Sequence, residues 1–312
     1  MGRFRLFGVI VAVASAGCWS MASNTISNSK SNAVTETKPD RTIETKSPAA
    51  EPTPPPRPDL SRQIVEGSTF IKSLPQGLAM PKDDAGRLLM REYGAVFVAR
   101  GGAVPPSKVV FENEADVTAY QRSVKTSVET VGGFRIELQE PAMAALRAAI
   151  AAASREGLSI SPRGSDSAKR SYGHTVDLWA SRVEPGLKYW VSKGRITNAD
   201  ANRIRSLSPF AQVPEILKLE SDGVFFAKTL DKSIIYSVAP PGSSQHLSML
   251  ALDVKEFENA RVRAILAANG WFQTVTSDLP HFTYLGVKES ELSGLGLRSV
   301  SNSGRTFYVP DI

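Results

Sequence analysis

The sequence predicts an α+β fold, a small antiparallel sheet flanked by helices, carried behind a long disordered amino-terminal tether. Three observations support this. Helix-length apolar patterns alternate irregularly with short β-rich runs, without the βαβ rhythm of a doubly wound parallel sheet. Residues 19–68 shift to Ser, Thr, Asn, Lys, Glu and Pro and run into AAEPTPPPRPDL, a composition that cannot bury enough apolar surface to offset its ordering entropy. The 312 residues are 42% hydrophobic and 22% charged, which fits a soluble globular protein with a real core, as two small domains or as one domain with extra segments.

Taken in order, DAGRLLMREYG predicts a helix, AVFVA a strand and RGGAVPP a turn. EADVTAYQRSV predicts a second helix, and GGFRIELQ a strand opened by glycines. EPAMAALRAAIAAASREG is a long Ala-rich helix closed by Gly157. LSIS predicts a short strand. The helix expected over KRSYGHTVDLWASRVEPGLKYWVSKG gathers Val176, Trp179, Val183, Leu187 and Trp190 near one apolar face. GVFFAKTL and SIIYSVA read as a strand pair, LALDV as a strand, ENARVRAILAANG as a helix and HFTYLGV as a closing strand. No internal repeat is found. The organisation expected is a signal segment over 1–18, the tether over 19–68, an accessory segment over 69–133 packed on the core, and a catalytic domain over 134–312.

The amino terminus, MGRFRLFGVIVAVASAGCWS, has the layout of an export signal. Arg3 and Arg5 precede an apolar run over residues 6–17 that is too short to span a bilayer. Cys18 ends that run, the place of a lipidated cysteine in a bacterial lipoprotein, although Ser15 stands where a larger aliphatic residue is usual. Cleavage after Ala16 would instead release a soluble protein. Either route predicts an exported protein of the periplasm or cell envelope, anchored to the membrane by lipid if Cys18 is modified. As the single cysteine, Cys18 excludes an internal disulfide and leaves no other thiol for a metal. The net charge of +6 is diffuse, and no Lys/Arg cluster is interleaved with aromatics, so no nucleic-acid partner is expected. The chain is expected to act as a monomer.

Only three histidines are present, and two of them fall in stretches whose acids could join them in one site. In PPGSSQHLSMLALDV, His246 precedes Asp253 by seven residues; in TSDLPHFTYLG, Asp278 precedes His281 by three. On one strand an odd offset puts His246 and Asp253 on opposite faces, and on one helix they would stand about 10 Å apart. Neither brings both within about 2.1 Å of one zinc. Joint ligation therefore needs a turn between them, at LSML. With His246, Asp253 and His281 as three ligands, no further histidine or cysteine is at hand to close the shell, and an open position suits hydrolysis. Asp278 can face the same space as general base. His174, with Asp177 three residues on, reads as a solvated or lightly paired surface residue. Trp179 and Trp190 read as core, and Tyr284 either as core or as an aid to the site.

From about Phe134 onward the chain resembles the VanY-type zinc D-alanyl-D-alanine carboxypeptidases, of hedgehog/DD-peptidase fold. The family pattern Ser-x-His-x-x-Gly-x-Ala-x-Asp reads here SQHLSMLALD, residues 244–253, and the later acid-x-x-His reads DLPH, residues 278–281. The resemblance implies one Zn2+ per chain held by His246, Asp253 and His281, with Asp278 as base. Peptidoglycan stem peptides are the implied substrate, and removal of a terminal D-alanine the implied reaction. It also implies a substrate-binding arginine, with Arg163 in SISPRGS preferred for its position after the strand over Arg170 in KRSYGHT, and a contact from Ser244. Thr175 takes the approximate place of a glutamine common in the family. Met249 stands where glycine is usual, so the turn is not expected to use a positive φ there. Pro280 replaces a tryptophan and Asp278 a glutamate. The resulting D-x-P-H-F is similar to the L-alanyl-D-glutamate endopeptidases, including phage endolysins, and leaves open an endopeptidase that cuts within the stem or cross-bridge. A non-catalytic zinc module that binds the wall is the alternative of a different class.

Overall fold

Polar residues start five of the seven longer helices described, each accepting a free backbone N–H on a side-chain oxygen, and that local chemistry fixes where those helices begin. The computed structural model describes residues 58–312. It runs α1 (Thr69–Ser73), α2 (Asp84–Tyr93), α3 (Glu114–Ser123), β1 (Thr126–Val131), β2 (Phe134–Gln139), α4 (Glu140–Arg155), α5 (Tyr172–Ser192), α6 (Asn198–Ser206), α7 (Gln212–Ser221), β3 (Ala251–Asp253), α8 (Ala260–Ala268), β4 (Trp271–Phe272), β5 (His281–Tyr284), β6 (Leu297–Asn302) and β7 (Arg305–Pro310). Asp83, Asn113, Ser171, Thr197 and Asn259 are the caps of α2, α3, α5, α6 and α8. The fold is α+β with small antiparallel sheets: the hairpins β1–β2 and β6–β7, and a three-stranded sheet in the order β3-β5-β4.

Two large apolar cores and two smaller clusters lie under these elements. The larger joins α4 and α8 to the three-stranded sheet through Leu146, Ala149, Leu252, Ile265, Trp271 and Phe282. The second packs α5, α6 and α7 together through Trp179, Val183, Leu187, Ile204, Ile216 and Phe226. Trp179 and Tyr284 are thus core residues; Trp190 packs at the margin of the second core and donates its indole N–H to the Phe225 carbonyl.

Several elements differ from the sequence reading. AVFVA falls in a 3-10 helix, Gly94–Val98, with all five residues buried. A run buried on every side has no periodicity by which strand and helix could be told apart. GVFFAKTL and SIIYSVA do not pair as strands. Residues 224–233 form a looped segment, and Ile234–Tyr236 is a 3-10 turn. The buried carboxylate of Glu220 on α7 holds both ends of that loop, accepting from the Phe226 and Ile234 backbone N–H groups at 3.0 and 2.7 Å and from the Ser233 hydroxyl. LSIS supplies no ladder; just beyond it, Pro162 makes one isolated bridge to Val254. HFTYLGV begins the central strand β5, and the hairpin β6–β7 follows it.

Folded structure begins before residue 69. Leu60 packs against the second core and Ile64 against the first, and Arg91 donates to the backbone carbonyls of Asp59 and Arg62. Met90, Val96 and Val98 belong to the same core as α4, and residue 133 lies in the β1–β2 turn, so residues 69–133 share the main core. The signal segment, Cys18 and the tether up to residue 57 lie outside the described residues.

Candidate metal centre

The pairing of β3 with β5 does the first part of the assembly. The strands are antiparallel, and their register sets Asp253 directly opposite His281. Residues opposed in this way share one face of a sheet, with Cβ atoms about 5 Å apart. His246 arrives from the 3-10 turn Gln245–Ser248, and the chain reverses into β3 at Met249. Here one expectation is corrected: Met249 does adopt the left-handed conformation, φ 57° and ψ 29°. The left-handed region costs an L-residue about 1–2 kcal/mol. Burial of the Met249 side chain with Phe111, Val117 and Leu247 offsets that cost.

His246 Nε2, His281 Nδ1 and Asp253 Oδ1 form a nearly equilateral triangle. The two nitrogens are 3.1 Å apart, and each lies 3.3 Å from the carboxylate oxygen. Bonds of about 2.05 Å at tetrahedral angles would separate ligand atoms by about 3.3 Å. The outer partners fix the tautomers. His246 Nδ1 faces the Ala168 carbonyl at 2.9 Å, an acceptor, so it carries the proton and Nε2 presents a lone pair. His281 Nε2 faces Gln245 Oε1 at 2.8 Å. The amide orientation follows from its other end, where Gln245 Nε2 donates to the Tyr93 carbonyl at 2.8 Å. His281 Nε2 is therefore protonated, and Nδ1 also presents a lone pair.

Three acceptors thus converge without a proton between them, an arrangement that a cation satisfies and a hydrogen bond does not. Burial pulls the His246 imidazole below its ordinary value, against the opposing pull of Asp253, and so favours its neutral form. Burial works to raise the Asp253 carboxyl, but its polar surroundings hold it well below its ordinary value, so it stands as the carboxylate. Two neutral imidazoles and one carboxylate are a donor set that zinc accepts. The residues fit the metal.

The loop before α5 wraps this group. Its backbone bonds to β3 on both sides of Asp253, Arg163 N–H to the Asp253 carbonyl and Asp253 N–H to the Ser167 carbonyl, and Arg170 N–H reaches the His246 carbonyl. The Arg170 side chain enters the site, with Nη2 2.9 Å from Asp253 Oδ2 and Nε donating to the Asp166 carbonyl. Arg163 instead lies over the Phe257 ring, 6.0 Å from its centroid. A cleft opens beside the triangle. Arg170, Ser244, His246, Asp278 and His281 line it, together with Thr175, Leu178 and Arg182 from α5 and residues 235–239. Asp278 is exposed there, and its carboxylate forms no ion pair among the described residues. Thr175 is buried, accepting from the Gly242 N–H and donating to the Tyr172 carbonyl. His174 stays outside the triangle, 3.8 Å from Asp166 rather than paired with Asp177.

Sequence reasoning passed over the residues that orient the ligands. Gln245 sits beside His246 as an inconspicuous position of the motif. Thr283, whose hydroxyl donates to Gln245 Oε1, lies two residues after His281 and so on the same face of β5. That strand parity was the available signal for Thr283. None existed for the Ala168 carbonyl, a contact across 78 residues.

No protein-family profile matches the chain, and no curated protein matches it in sequence. Two solved structures do. One is the LdcB LD-carboxypeptidase, described for its peptidoglycan recognition, at 18% identity over 51% of this chain and 64% of that one, TM-score 0.31. The other is a mutant of the vancomycin-resistance D,D-pentapeptidase VanY from a VanB-type cassette, in complex with Zn(II), at 14% identity over 51% of this chain and 79% of that one, TM-score 0.31. The chain spans less than two thirds of the LdcB chain.

Proposed function

We propose that this chain is a zinc-dependent peptidase of the hedgehog/DD-peptidase fold, exported to act on peptidoglycan stem peptides. The observation that carries the reading is the convergence of three unprotonated donors, His246 Nε2, His281 Nδ1 and Asp253 Oδ1, at the wall of a cleft that Asp278 and Arg170 also line. When bound, zinc supplies a Lewis acid that polarises a carbonyl and eases deprotonation of water. The chain's own residues do the rest. Asp278, free of any cation partner among the described residues, takes the proton of the attacking water and returns it to the departing amine. Arg170 spends Nη2 on Asp253 and Nε on Asp166, which leaves Nη1 for a substrate carboxylate or the developing oxyanion. Its place in the cleft favours Arg170 over Arg163 for this role. Ser244, also lining the cleft, contacts the substrate near the ligands.

The reaction proposed is removal of a terminal D-alanine, with cleavage inside the stem or cross-bridge as the alternative that the D-x-P-H-F wording supports. The test is digestion of defined muropeptides by the zinc-loaded protein, with products read by mass. Loss of a single D-alanine supports the carboxypeptidase, and an internal cut moves the protein to the endopeptidases. Asp278→Asn separates an enzyme from a binding module: the enzyme loses turnover and keeps its zinc, whereas a binding module keeps its affinity for wall peptides unchanged.

A further inference from the structure

We propose that Arg182 is a specificity-determining residue that binds a free carboxylate on the peptide, two to three residues amino-terminal of the scissile bond. The inference rests on the reading of the cleft as a peptide site. Thr175, Leu178 and Arg182 are spaced i, i+3 and i+7 on α5 and line the cleft as one helical stripe. Thr175 marks the metal end, since its hydroxyl accepts from the N–H of Gly242, just before the turn that carries Ser244 and His246. Arg182 lies seven residues further on, about 10 Å along the helix axis.

The guanidinium there has only neutral partners. Nε donates to Ser237 Oγ at 3.1 Å and Nη1 to Ser181 Oγ at 2.8 Å, and Nη2 makes no hydrogen bond among the described residues. The surface arginines Arg203, Arg205 and Arg261 each hold a glutamate, and Arg170 holds Asp253. Arg182 therefore places in the cleft a positive charge with no ion-pair partner among the described residues, beside Ile235, Val238 and Ala239 of the segment it bonds through Ser237. Such apolar flanks strengthen its attraction for an anion.

An extended peptide advances about 3.3–3.6 Å per residue, so about 10 Å is about three residues. In a carboxypeptidase only one residue lies beyond the scissile bond, and the long arm of the substrate is its amino-terminal side. A peptide whose scissile carbonyl lies at His246 and His281 thus brings that arm to Arg182.

The test uses two peptides, Ac-Glu-Lys-D-Ala-D-Ala and Ac-Gln-Lys-D-Ala-D-Ala, with the zinc-loaded full chain. Calorimetric binding to the Asp278→Asn form and steady-state cleavage by the native form are both read. The expected result is about tenfold tighter binding of the Glu peptide, and a KM about tenfold lower with kcat little changed. Arg182→Gln abolishes that preference, and Arg182→Lys retains part of it. Equal binding of the two peptides by the Asp278→Asn form, binding of neither, or a preference that survives Arg182→Gln overturns the inference. Preferential binding without cleavage by the native form would instead sink the peptidase reading and leave the Arg182 subsite standing.

Discussion

Arg170 and Asp253 divide one carboxylate between two tasks. Arg170 Nη2 holds Oδ2 at 2.9 Å, and Oδ1 stands 3.3 Å from each imidazole nitrogen. The guanidinium fixes which oxygen faces the two imidazoles, and the role proposed for its Nη1 toward substrate is separate from that contact.

Replacement of that guanidinium is therefore expected to weaken metal binding even though Arg170 touches no metal. Arg170→Gln should lower zinc affinity by about 10- to 100-fold, the range seen when an outer partner of a ligand is lost. Competition with a chelator of known affinity measures it. Unchanged affinity would mean that Asp253 is oriented by the β3–β5 register alone.

Gln245 has a parallel role toward His281. Gln245→Leu removes the acceptor for His281 Nε2–H and Thr283 and the donor for the Tyr93 carbonyl. Buried groups left without partners cost about 1–3 kcal/mol each. The expected outcome is a destabilisation of about 3 kcal/mol in chemical denaturation, together with about tenfold weaker zinc binding as the His281 tautomer is freed.

Met249→Gly sets backbone strain against packing in the turn between His246 and Asp253. Glycine removes about 1–2 kcal/mol of left-handed strain. It also deletes a fully buried side chain, and truncation of such a methionine costs about 2–5 kcal/mol. Packing outweighs strain, so the variant should be less stable by about 2 kcal/mol in urea unfolding. A stabilised variant would show that strain dominates.

Burial raises the Glu220 carboxyl from 4.5 to about 7, against the hydrogen bonds it accepts from Ser233, Ile234 and Phe226. Its folded form binds the proton more tightly than its unfolded form does. The stability it contributes is therefore complete below about pH 4.5 and is lost as pH rises to and through 7, by about 3 kcal/mol. Glu220→Gln should flatten that part of the stability profile between pH 4 and 8. A difference between the native and variant profiles that does not change with pH would contradict the assignment.

Part of the candidate metal site was legible in the sequence because its chain reversal is governed by short-range rules. The odd offset from His246 to Asp253 demands a turn, and the structure puts one at residues 245–249. The register opposing Asp253 to His281 was not readable, because pairing across 28 residues depends on the whole core. AVFVA and SIIY were misread because fully buried runs carry no period, and Glu220, which holds the loop between GVFF and SIIY, reveals its role only through tertiary contacts. The β6–β7 hairpin had a legible signal in LRSVSN-SG-RTFYVP, where Ser303 and Gly304 form the turn, and it was overlooked. Position in the chain put Arg163 ahead of Arg170, because it follows the short stretch LSIS; which way each side chain leaves the loop is a tertiary feature that position does not carry.

The most direct test of the account is the zinc content of the purified full chain, measured by mass spectrometry of the metal beside an Asp253→Ala variant. The account predicts one zinc per native chain and a loss of at least 100-fold in affinity when Asp253 is removed, about 2.7 kcal/mol or more. A native chain without zinc, or one whose zinc is indifferent to Asp253, would contradict it.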